Sequence, residues 1–125
     1  MVISAINSAM NSISNASARV NVAANNIANV SSTYTRTDNT VTKTPYIPQD
    51  IITITGKNGE VNTKISDSSL PPVSLYDSKG ITQQPNIDPT QELSDIENAR
   101  SELNASLKII EQQRDLQKGF LDIFA

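Results

Sequence analysis

Ile3, Ile6, Met10, Ile13, Ser17, Val20, Ala24 and Ile27 follow one another at alternating steps of three and four. That is the heptad period, held for nearly four repeats, and an α-helix is the regular structure that gathers such positions on one side. The other faces are less ordinary. Ser4, Ser8 and Ser12, then Asn21, Asn25 and Asn29, form ladders four apart, so each side chain lies over the next. Arg19 is the one charge before Arg36. Asparagine competes for backbone hydrogen bonds and is a middling-to-poor helix former, and a water-facing helix would carry Lys and Glu. Small residues permit close approach of a second surface, and amides can donate and accept within it. The stretch "NVAANNIANV" therefore reads as a surface for packing against other subunits, with Asn25, Asn26 and Asn29 in the contact. The helix is expected to end near Asn29, because Asn tolerates the left-handed cap and β-prone residues follow.

A second helix is announced by "NIDPTQEL". Asp88 suits the N-cap, Pro89 the first helical position and Gln91 the third position of a capping box. From there the chain continues without proline to residue 125. Leu103, Leu107, Ile110, Leu121 and Phe124 continue one heptad stripe, interrupted by Arg114 and Gln117. Ile109, Leu116, Phe120 and Ile123 make a second stripe beside it. Apolar residues on two faces imply more than one packing partner. Between the helices, "DIITITGKNGEVNTKI" alternates apolar and polar residues on both sides of Asn58-Gly59, a strong hairpin signal. One hairpin is too little for a core of its own. The expected fold is mainly α: long N- and C-terminal helices forming a coiled coil, with a small β-hairpin or extended insert. The divisions are residues 1–30, 31–87 and 88–125, with both termini contributing to a single domain.

Composition excludes several functions. The chain has 125 residues, 37% of them hydrophobic, with no Trp and only five aromatic rings, so its core is modest. Without cysteine there is no disulfide frame and no thiolate nucleophile or metal ligand. Without histidine the commonest general base is missing. An enzyme is not expected, nor a cofactor, a metal or a small-molecule substrate. Residues 1–37 carry +2 and the remainder eight basic against thirteen acidic side chains, so nothing resembles a patch for nucleic acid. "TGKNGE" lacks the Gly-Lys-Ser/Thr of a phosphate loop and reads as a turn. Asp88, Glu92 and Asp95 suit a helix start through the macrodipole. No run of about 18 apolar residues occurs, and the first thirty residues lack the basic start and apolar block of a signal peptide. A cytoplasmic protein, or one exported without a cleaved signal, is expected.

Three segments carry a resemblance. "ARVNVAANNIANV" resembles the N-terminal signature of bacterial flagellar rod and hook axial proteins, where a long helix ends in Asn-Asn-x-Ala-Asn. "TYTRTDNTVTKTPYIPQDIITI" and "KGITQQPNIDPTQEL" resemble the C-type proximal rod proteins, with Gly80, Pro85, Asn86, Ile87, Asp88 and Glu92 in place. The pattern departs at Leu103, where that family usually has Tyr. The resemblance implies a structural subunit of the flagellar basal body, in the rod on the periplasmic side of the inner membrane. Its terminal axial helices would polymerise into a torque-transmitting drive shaft around the export channel. Implied partners are copies of itself, other proximal and distal rod proteins, the adaptor joining the rod to the ring and export gate, the inner-membrane ring, and the flagellar type III export apparatus. The packing positions would be Ile3, Ile6, Met10, Ile13, Val20, Ala24, Asn25, Asn26, Ile27, Asn29, Leu103, Leu107, Ile110, Leu116, Phe120, Leu121 and Phe124. The alternatives are a B-type proximal rod protein of the same superfamily and a non-axial coiled-coil adaptor or chaperone.

Overall fold

The computed structural model describes residues 2–36, 46–56, 61–78 and 80–124. Helix α1 spans Val2–Asn29 and helix α2 Pro89–Phe124, with strands β1 (Tyr34–Arg36), β2 (Gln49–Thr55), β3 (Val61–Asp67), β4 (Val73–Asp77) and β5 (Gly80–Gln84) between them. At 1.5 Å per residue the helices are about 42 and 54 Å long. They pack antiparallel, since Arg19 bonds to Glu102 while the later Asn26 bonds to the earlier Glu92.

The termini of the helices differ in how they are closed. Asp88 Oδ1 accepts from the backbone N–H of Thr90 at 2.9 Å and of Gln91 at 3.4 Å, and Glu92 N–H donates to Asp88 O at 3.1 Å as the first helical bond. Gln91 does not reach back to close a capping box; its amide turns forward to Asp95. Helix α1 has no acid in its first turn and no base in its last, so its dipole is uncompensated by its own charges. Ser32 closes its C-terminus, donating from both N–H and Oγ to Asn29 O at 3.0 and 2.7 Å.

The expected fold, a coiled coil with one hairpin as insert, is corrected in two respects. First, the insert contains two antiparallel sheets. Strands β2 and β3 pair along their whole length, from Gln49 opposite Asp67 to Thr55 opposite Val61; the Asn58-Gly59 turn lies outside the described residues. A separate three-stranded sheet runs in the order β1-β5-β4. Tyr34 stands opposite Gln83, and Leu75 opposite Thr82. Gly80, opposite Asp77, has a φ of 134°, a conformation that side chains rarely adopt. The sheet is built from two distant stretches of chain, and its strands of three to five residues carry no strong alternation.

Second, the helices do not meet along the large apolar stripes. On the two helices the buried apolar positions among the described residues are Ala9, Ala16, Val22, Ala23 and Ala99, joined by Asn26 and Ser106. Ala9, Ala16 and Ala23 are seven apart, and Arg19 and Asn26, which reach α2, stand three beyond Ala16 and Ala23 on the same stripe. Ala99 and Ser106 repeat the spacing from α2. The seam is thus one residue out of phase with Ile3–Ile27 and with Leu103–Phe124, a rotation of about 100° on each helix. Small side chains let the two backbones come close, and this contact displaces the bulky residues to the flanks.

The β2–β3 hairpin packs on α1, on a face beside the seam. Thr63 donates its hydroxyl to Asn15 Oδ1, and Val61, Thr63 and Ile65 border a hollow with Asn11, Ser14 and Ala18. The three-stranded sheet is different. Among the described residues its backbone does not come close to either helix or to the hairpin.

Candidate functional site

Two features stand out: a polar hub where α1, α2 and β2 meet, and a set of apolar side chains on the outer helix faces. The hub is the side chain of Asn26, 1% exposed. Its Nδ2 donates to Gln49 O at 2.9 Å and to Glu92 Oε1 at 2.8 Å; its Oδ1 accepts from Gln49 N–H and from the Tyr46 hydroxyl, both at 2.9 Å. The amide pairs with both main-chain groups of Gln49, as a neighbouring strand would. A buried amide so placed satisfies its two donors and its acceptor, which offsets the cost of burying it. The polar residue at this helix position therefore joins three segments of its own chain.

Around the hub lies a hollow of about 510 Å³ lined by Arg19, Gln49, Asp50, Ile51, Glu92 and Asp95, among others. Burial raises the Glu92 carboxyl above its ordinary range, against the lowering effect of the Asn26 hydrogen bond, and Asp95, Asp50 and Asp88 raise it further. Burial likewise raises the Tyr46 hydroxyl, with Glu92 and Asp67 adding to it. Arg19 Nη1 meets Glu102 Oε2 at 2.8 Å, so the single charge of α1 is paired to α2. Among the described residues no cluster of acids has the arrangement to hold a metal ion, and no helix is long and apolar enough to cross a membrane.

The residues expected to pack between subunits are distributed unevenly. Ile6, Ile13, Val20 and Ile27 are half-buried along the flank of the seam, and so are Leu103 and Ile110. Ile3, 74% exposed, and Met10, Ala24, Leu107, Leu116, Phe120 and Leu121 face outward. Exposure culminates at Ile123, at 78%. The Phe124 side chain lies outside the described residues. Asn25 is exposed and Asn29 half-buried, and they engage each other: Asn29 Nδ2 donates to Asn25 O at 2.8 Å and Oδ1 at 3.1 Å. Leu116, Gly119, Phe120 and Ile123 form an apolar groove toward the end of α2, edged by Gln112 and Asp115.

Sequence reasoning missed Tyr46 and Gln49 as hub partners, since neither carries a motif. It also missed the Ala9–Ala16–Ala23 repeat, although that heptad is visible in the sequence, because larger residues one position away supplied a stronger apolar signal. The chain matches no family model, and comparison with curated proteins finds no significant match.

Proposed function

We propose that this chain is a structural subunit of the bacterial flagellar proximal rod, assembling laterally through the outer faces of its two helices. The observation that carries the reading is the row of large apolar side chains left outside the intrachain seam: Ile3, Met10, Leu107, Leu116, Phe120, Leu121 and Ile123. Contiguous exposed apolar surface marks contact with another protein; Leu116, Phe120 and Ile123 share one groove of α2, while Leu107 and Leu121 lie on its other side, which calls for a second neighbour. The axial-protein resemblance of "ARVNVAANNIANV" supplies the identity of the assembly, and the Pro-Asn-Ile-Asp segment supplies the C-type position. A small core suits a subunit that completes its packing on neighbours. Its task is mechanical, and no residue is assigned a chemical step.

The test is a tagged chain expressed in a flagellated host from which basal bodies are purified. The expected result is the chain in stoichiometric amounts in the rod, traceable there by electron microscopy, with loss of motility when its gene is deleted. Rods that are complete and rotate normally without it would overturn the proposal. A soluble complex with one rod protein, with none of the chain in the rod, would favour the adaptor or chaperone.

A further inference from the structure

Glu92 is half-buried at the hub, surrounded by other acids. Asp88 at the N-cap of α2 and Asp95 on α2 stand near it, and Asp50 on β2. From α1 the cation at the same hollow is Arg19, which is already paired with Glu102. Asp67, at the end of β3, acts on Tyr46. Asp50 directly follows Gln49, the residue whose main chain Asn26 holds. With Glu92 charged, its repulsion of Asp50 opposes the hydrogen bonds that fasten the start of β2.

We propose that the Asn26–Glu92 contact is a proton-operated latch: uptake of a proton by Glu92 fastens the β2–β3 hairpin onto the helix pair, and its loss loosens the hairpin. A neutral carboxyl keeps an oxygen with which to accept from Asn26 Nδ2, so the hub survives protonation while the repulsion disappears. The sign follows from linkage. Docking brings Asp50 to the hollow that Glu92 lines, and Asp50 raises the Glu92 carboxyl further above its ordinary value of 4.5, so the docked form binds the proton more tightly. Docking is strongest below that ordinary value, weakens as pH rises through the docked-state value, and stays weak above it. This inference is independent of the rod assignment.

Amide hydrogen exchange on the purified full-length chain tests it, with each rate divided by its intrinsic rate at the same pH. At about pH 4, below the ordinary carboxyl value, against about pH 7.5, protection of the Gln49 amide and the β2–β3 ladder should rise severalfold, with little change at Ala16 in the helix seam. Glu92→Gln should show the high protection at both pH values. Glu111→Gln, which removes an exposed charge farther along α2, should retain the parent's difference. Equal protection of the parent at the two pH values would overturn the latch, as would an equal change at Ala16. So would a Glu92→Gln variant that keeps the full pH difference or fails to fold, since a neutral side chain should hold the hairpin shut. If Asp50→Asn abolished the effect and Glu92→Gln did not, the assignment to Glu92 would be overturned.

Discussion

Asn26 and its neighbour Asn25 have the same side chain and opposite situations. Asn25 points outward and accepts from Asn29, one turn along. Replacing it with Ala removes a weak helix former from an exposed site, so Asn25→Ala should leave stability within about 0.5 kcal/mol of the parent in urea melts. Asn26→Ala strands the main chain of Gln49, the Tyr46 hydroxyl and Glu92, and should cost at least about 2 kcal/mol in the same measurement. Asn26→Asp should be worse than Ala at neutral pH, because it cannot donate to Gln49 O and sets a further carboxylate against Glu92. The sequence showed the crowding of asparagines but not which one would be buried, since that depends on where β2 crosses the helix. Gln113 is the reverse case. It continues the Ala99–Ser106 heptad, and among the described residues its buried Oε1 has no hydrogen-bond donor. Gln113→Leu should therefore raise stability by about 1 kcal/mol, visible as a higher urea midpoint; a lower midpoint would mean that the extra branch does not fit the seam.

At the scale of the elements, the period of the helices was legible and their phase was not. Spacing of three and four residues revealed a helix in each terminal segment, Asp88-Pro89 marked the start of the second, and alternation around 50–65 marked the paired strands. Phase was misleading because apolar weight favours Ile and Leu over Ala. In a close helix contact the smaller side chain wins, since it lets backbone and Cβ atoms meet without a gap. Ala16→Leu should therefore destabilise the chain by about 1–3 kcal/mol through overpacking. Ile3→Ser and Leu121→Ser should change the isolated chain by less than about 0.5 kcal/mol yet impair assembly and swimming in the host. If Ile3→Ser proved as harmful to the isolated chain as Ala16→Leu, the seam would lie along the larger residues after all. The three-stranded sheet left little trace in the sequence. Its edge strand β1 has three residues, its pairing with β5 joins distant parts of the chain, and such pairing is set by tertiary context more than by local preference.

For the whole molecule, these contacts add up to a chain held together by little apolar burial. Among the described residues the helices bury five small or medium apolar side chains, while large ones remain outside. Carrying the antiparallel register of Asn26–Glu92 and Arg19–Glu102 back to Val2 places the start of α1 across from the turn near Lys118. The last turns of α2 then extend past their partner helix, consistent with the rise in exposure from Leu116 through Phe120 and Leu121 to Ile123. Helix that packs against nothing is held only by its own propensity, which is marginal in water for a few turns. In dilute solution that end should open first, with free energies near zero for local fraying. Limited trypsin treatment of the isolated chain is expected to cut at Arg114 or Lys118 before Arg19, whose guanidinium is tied to Glu102 across the seam. Circular dichroism should correspondingly show less helix than elements of 28 and 36 residues require. Incorporation into an assembly that covers Leu116, Phe120, Leu121 and Ile123 should protect the same bonds. First cleavage at Lys64 in β3, or equal cutting at Lys118 in the assembled and isolated forms, would show that the end of α2 is not the part completed by neighbours.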